Sequence, residues 1–189
     1  MIRIGILGDI GSGKSFVSKK FGYPVFNADK VVNNLYRKDK KIFKKLNKVL
    51  PNYINSFPID KKQIINAVLI DKKNLKKIVS IVHLEVRKKM NIFLKKNKNK
   101  KIVILDIPLL LENKLNKKKD VLVFVQSKKS HALKKLKKRK NFNWKLLKKF
   151  NSIQLPLDYK KKKSKFIIKN NFTPISVKKS INSILDKIL

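Results

Sequence analysis

Gly8-Asp9-Ile10-Gly11-Ser12-Gly13-Lys14-Ser15 lies between the apolar run Ile2-Arg3-Ile4-Gly5-Ile6-Leu7 and the helically spaced Phe16-Val17-Ser18-Lys19-Lys20-Phe21. The octet is a complete G-x-x-x-x-G-K-[ST] phosphate-binding loop, and strand–loop–helix is the context the motif needs to carry meaning. Four of the five glycines (Gly5, Gly8, Gly11, Gly13) fall within nine residues, and glycine lets backbone amides curl around an anion without steric cost. The sequence therefore predicts a nucleoside triphosphate site, with amides from Gly11 to Ser15 on the β-phosphate at a helix N-terminus. Lys14 is expected to bridge the β- and γ-phosphates, and the Ser15 hydroxyl to ligate Mg2+. Gly8, Ser12, Gly13 and Phe16 complete the expected ATP cradle.

Outward from the loop, short β-branched runs alternate with helical stretches, the signature of a parallel sheet wrapped by helices. The runs are Ile2–Leu7, Pro24–Asn27, Ile102–Ile107, Val121–Val125 and Phe166–Ile168. Those at 102 and 121 are apolar without alternation, as in strands covered on both faces. Helical spacing marks Lys41–Leu50, Gln63–Leu69, Leu75–Val82, Val86–Leu94, a Lys-rich pair from Ser130 to about Gln154 joined near Asn141–Asn143, and a closing helix in Ser176–Leu189. The lysine runs at 117–119 and 160–163 read as solvated loops or helix faces. The expected fold is α/β: a single domain over 1–189, a three-layer α/β/α P-loop core with a parallel five-stranded sheet. Helical insertions at 30–97 and 130–156 would serve as acceptor-binding region and lid. A kinase of small molecules is built this way, the lid closing over the triphosphate and expelling water.

Composition narrows the class. With 189 residues, 42% of them hydrophobic, the chain is long enough for one packed core. It has no cysteine, which excludes a disulfide framework or thiolate zinc site and fits a reducing cytosol. No apolar run is long enough to cross a bilayer, and Ile4–Leu7 is too short for a signal peptide; a cytoplasmic enzyme without membrane partners is expected. The net charge of +39 comes from 46 lysines and only four arginines, spread through every helical segment. A nucleic-acid surface concentrates charge on one face and uses arginine for bidentate contacts. The excess therefore reads as a solvated surface that attracts anionic substrates over a distance, and nucleic acid is not the expected partner. A monomer is the expected state.

Phosphoryl transfer needs positioned groups and charge neutralisation more than covalent chemistry. Eleven carboxylates supply the acids, and ligands gather at strand C-termini in open α/β sheets. Asp29, just after the second run, is placed to accept a proton from an acceptor hydroxyl; its structural alternative is an N-cap for a helix starting at Lys30. Asp106, at the end of the third, could serve Mg2+ through water or cap the turn that Pro108 enforces. Arg139, the one arginine among the lid's lysines, is suited to bidentate contact with the γ-phosphate.

Several segments together resemble the dephospho-CoA kinase family. Ile4-Gly5-Ile6-Leu7 with the loop resembles its opening, Pro24-Val25-Phe26-Asn27-Ala28-Asp29 its acidic second-strand motif, and Asp106-Ile107-Pro108-Leu109-Leu110-Leu111-Glu112 its D-I-P-L-L-F-E segment. Val82-His83 with Arg87, then Arg139, Gln154-Leu155-Pro156-Leu157 with Lys160, and Ile167-Ile168-Lys169-Asn170 follow in family order. The resemblance implies transfer of the ATP γ-phosphate to the ribose 3′-hydroxyl of dephospho-CoA. It implies Asp29 on that hydroxyl, Lys14 and Arg139 as charge stabilisers, and acceptor contacts from His83, Arg87, Asp106, Pro108 and Leu109, the 30–97 insertion being the CoA side. The chain departs from the pattern at Asp9, a carboxylate near the phosphates; at Asn27, which leaves Asp29 as the lone acid; at Leu84; at Phe150, where a lid arginine is expected; and at Ser164-Lys165. Lys148 or Lys149 stands beside position 150 as alternative lid charge. Two competing readings are a P-loop kinase with another small acceptor and a degenerate, non-catalytic P-loop protein binding nucleotide or nucleic acid.

Overall fold

The computed structural model describes residues 1–139 and 142–189. Chain order is β1 (Ile2–Gly8), α1 (Lys14–Lys20), β2 (Val25–Asn27), α2 (Ala28–Lys38), α3 (Lys40–Val49), α4 (Lys61–Ile70) and α5 (Lys72–Lys96). There follow β3 (Ile102–Asp106), β4 (Val121–Gln126), α6 (Lys129–Lys137), α7 (Trp144–Asn151), α8 (Leu157–Lys163), β5 (Phe166–Lys169) and α9 (Pro174–Leu185). The described residues divide into two compact units. A sheet unit comprises Met1–Asn27, Leu94–Phe142 and Ile153–Leu189, and a helical unit Ala28–Phe93 and Asn143–Ser152.

In the sheet unit all five strands are parallel, in the order β2-β3-β1-β4-β5. The expected α/β architecture is what forms, each strand within a residue or two of its apolar run. Ile4 and Ile6 of β1, Ile102 and Ile104 of β3, Val123 and Val125 of β4, and Ile168 of β5 share one face. They form a core with Val17 of α1, Phe21 at its C-cap, and Val177, Ile181 and Ile184 of α9. Burial of each such side chain contributes about 1.5–3 kcal/mol. On the other face Gly5 has a specific purpose: a Cβ there would lie 2.5 Å from a Leu110 methyl and 2.9 Å from one of Leu122. Without it, Leu110 can cover the central strand, and α8 lies over β1 and β4. Because the strands share one direction, Gly8, Asn27, Asp106, Gln126 and Lys169 end at one edge of the sheet.

The helical unit is built with explicit helix starts. Asp39 accepts from Lys41 N and Ile42 N to start α3, and Asp60 with Gln63 forms a capping box on α4. Asp71 accepts from Lys73 N at the start of α5. The two helical stretches expected at 75–82 and 86–94 are one continuous helix. His83-Leu84-Glu85 contains no helix breaker, and Leu75, Ile78, Val82, Val86 and Met90 form an unbroken buried stripe. α7 packs on α4, and Lys149 Nζ donates to Val68 O (2.6 Å) and Leu69 O (2.8 Å). The cation thus satisfies carbonyls at the C-terminal end of α4, where positive charge is favoured.

Candidate active site

The loop after β1 has the backbone that its glycines permit. Gly8, Gly11 and Gly13 have φ of 144°, 83° and 88°. A Cβ at Gly11 would fall 2.8 Å from Leu136 Cγ of α6, and one at Gly13 would collide with Asn170 Nδ2. Lys14 arches back over the loop, its ammonium donating to Gly8 O (3.1 Å) and Asp9 O (2.8 Å). Ser15 is exposed and Phe16 half-buried. Asp9, the unexpected carboxylate, turns into the loop and accepts from Ile10 N at 2.6 Å, so its charge is partly spent on shaping the first turn. Ser12 is buried, and its Oγ has no hydrogen-bond partner.

Asn170 is the loop's buttress, a role legible in the sequence only as part of a family motif. It is 2% exposed; its Nδ2 donates to Ser12 O (2.8 Å), its Oδ1 accepts from Phe172 N (2.8 Å), and its N donates to Gln126 O (2.7 Å). An Asn immediately after the last strand was the available signal. We predict that Gly13→Ala costs about 1–2 kcal/mol through its left-handed backbone, displaces Asn170, and raises the KM for ATP; a urea melt and ATP titration check both.

Elimination shortens the acid list. Asp39, Asp60 and Asp71 are caps. Asp120 pairs with Arg3 at 2.9 Å, where Arg3 also donates to Leu115 O. Glu85 lies 3.5 Å from Lys88, and Glu112 is bound to a buried lysine. Asp106 is the last residue of β3, buried, and its Oδ2 accepts from Asn27 Nδ2, the register partner at the end of β2. The Asn that stands in for a family acid is thus a neutral donor, where two facing carboxylates would repel. Pro108 and Leu109 follow, half-buried, in the turn that Asp106 opens.

Arg139 is exposed one turn beyond Leu136, the residue covering Gly11, and its N donates to Leu136 O at 3.0 Å. Of the junction expected near Asn141–Asn143, Asn141 lies outside the described residues, and Asn143 caps α7 by accepting from Leu146 N. Lys149 is committed to α4's carbonyls and does not stand in for the arginine missing at Phe150, whereas Lys148 is exposed. A correction concerns Lys160. The run 160–163 was expected to be solvated, yet Lys160 is 1% exposed and pairs with Glu112. Helical phase explains it: α8 turns Lys161, Lys162 and Lys163 outward and Lys160 onto the sheet.

Within the helical unit, Asp29 is exposed in the first turn of α2, which begins at Ala28. It is therefore inside the helix rather than its N-cap. His83 and Arg87 are four apart on α5 and share a face. Burial, then the charge of Arg87, hold the His83 imidazole below its usual value, and its Nε2 is buried without a partner. Both causes favour the neutral imidazole. Below about pH 6.5 the unfolded chain takes up a proton that the folded chain resists, so this group makes stability fall as pH drops through that value. His83→Gln should flatten the loss of urea midpoint between about pH 7.5 and about pH 5.

A sequence profile described as dephospho-CoA kinase matches residues 2–174. The chain belongs to the dephospho-CoA kinase family. A dephospho-CoA kinase of Wolbachia sp. subsp. Brugia malayi is 35% identical, over 98% of this chain and 97% of its own. The fold is shared with TT1252 from Thermus thermophilus (TM-score 0.76, 24% identity, 100% of this chain and 98% of that one). It is shared too with a dephospho-CoA kinase from Campylobacter jejuni (TM-score 0.64, 20% identity, 98% and 96%). Membership makes the chain an ATP-dependent kinase acting on a hydroxyl group. No described helix is long and apolar enough to cross a membrane.

Proposed function

We propose that this kinase transfers the γ-phosphoryl group of ATP to the ribose 3′-hydroxyl of dephospho-CoA, giving CoA and ADP. The observation that carries the reading is the set of groups at the sheet's C-terminal edge, the loop bridged by Lys14 and Asp106 bonded to Asn27; Asp29 follows Asn27 by two residues in the sequence. The loop amides and Lys14 bind and orient the triphosphate. Asp29 accepts the 3′-hydroxyl proton as that oxygen forms its bond to the γ-phosphorus and the bond to the β-phosphate oxygen breaks, releasing ADP. Lys14 and Arg139 stabilise the charge that develops on the transferring group. His83 and Arg87 of α5, with Pro108 and Leu109, contact the acceptor; residues 30–97 form its binding region and 130–156 the lid.

The Ser15 hydroxyl and the Asp106 carboxylate are hard oxygen donors of the class Mg2+ prefers, and both belong to the edge where the triphosphate would lie. When bound there, Mg2+ would neutralise charge on the phosphate oxygens. The reading makes the protein a cytoplasmic enzyme with small-molecule partners. It is tested by ADP release from ATP and Mg2+, with dephospho-CoA, adenosine or shikimate as acceptor. Release that requires dephospho-CoA supports it; equal release with adenosine or shikimate contradicts it.

A further inference from the structure

We propose that Glu112 and Lys160 are positioning residues for phosphoryl transfer. Their buried pair ties the returning end of the lid segment to the turn that opens at Asp106. The proposal rests on the roles given above to Asp106 and to residues 130–156.

Lys160 Nζ lies 2.6 Å from Glu112 Oε1, with side chains 1% and 9% exposed. The same ammonium donates to Gln154 Oε1 at 2.9 Å, and Leu155 N donates to Glu112 Oε1 at 3.0 Å. One carboxylate oxygen therefore holds both a lysine and a backbone amide. The chain leaves the helical unit at Ser152 and re-enters the sheet unit at Ile153, so Gln154 and Leu155 are among the first residues after the crossing. On the near side, Lys149 is bound to α4. Each end of this crossing is thus held within its own unit.

The other end of the tether is Glu112, within the turn that starts at Asp106. That turn is braced by Asn113 N to Leu109 O (3.1 Å) and Leu115 N to Leu110 O (3.0 Å), with Leu110 fully buried. A shift of Glu112 is thus passed to Leu109, Pro108 and Asp106. Stability alone does not account for the pair. Burying two charges costs about what their attraction returns, and Glu112 Oε2 is left buried with no partner. Fixed geometry is what such a pair supplies.

The test compares Lys160→Met, Glu112→Gln and the double variant Glu112→Leu/Lys160→Met in urea midpoint, kcat, and KM for ATP and dephospho-CoA. Lys160→Met alone should lower the midpoint, because it strands a buried carboxylate. The double variant should recover the midpoint while kcat stays depressed by about 10- to 100-fold, the scale of misplaced catalytic groups, with the KM for ATP unchanged. Recovery of both midpoint and kcat would make the pair merely structural and overturn the proposal. Should the double variant not fold, Glu112→Gln keeps an acceptor for Leu155 N but loses the charge; its kcat should fall, and an unchanged kcat overturns the proposal. Hydrogen exchange gives an arm independent of turnover: amides of 106–112 and 153–157 should quicken together in the variants, and unchanged exchange overturns the tether. A wild type inactive on dephospho-CoA would instead contradict the acceptor assignment.

Discussion

Replacing Asp29 by asparagine is expected to lower kcat by about two to four orders of magnitude, the usual worth of a positioned general base, with ATP affinity unchanged. The substitution keeps the side chain's size and removes its ability to take a proton. Asp29 is exposed in the first turn of α2, so the structural cost is the loss of a favourable charge at a helix N-terminus, about 0.3–1 kcal/mol. A fold effect of that size cannot produce the kinetic one. Single-turnover kinetics with saturating ATP, beside a nucleotide-binding titration, separate the two. Equal losses of ATP affinity and turnover would contradict the role given to Asp29.

Lys14→Met should be damaging in a different way. Its ammonium reaches Gly8 O and Asp9 O, within the arc that the triphosphate would occupy, and methionine preserves the stem without the charge. The loss of a donor aimed at transition-state charge costs about 100- to 1000-fold in kcat, and here ATP binding should weaken as well. The two variants thus form a pair: Asp29→Asn leaves the ATP titration intact and Lys14→Met does not. A Lys14→Met protein with wild-type ATP affinity would mean that the lysine does not engage the ground-state triphosphate.

The sheet was legible because its strands are covered on both faces, so Ile102-Val103-Ile104-Leu105 and Val121-Leu122-Val123-Phe124-Val125 read as continuous apolar runs. The phosphate loop was legible because glycine adopts positive φ without steric cost, as at Gly11 and Gly13. What escaped the sequence depends on contacts between distant residues. Lys160 looks like its three lysine neighbours until the phase of α8 and the partner Glu112, 48 positions earlier, are known. Asn27 looks like a lost acid until register places it beside Asp106. Asn170 is marked locally only by its place just after the last strand, and its partner Ser12 lies 158 positions earlier. Lys149 was a candidate lid charge from its proximity to Phe150, and its commitment to the end of α4 is set by tertiary packing.

The most direct test is to locate the transferred phosphorus. The purified chain is incubated with ATP, Mg2+ and dephospho-CoA, and the product is analysed by mass and by phosphorus NMR. The account predicts one added phosphoryl group, appearing as a ribose 3′-phosphomonoester in step with ADP. A phosphate at any other position, or ADP formed without a phosphorylated acceptor, would contradict it.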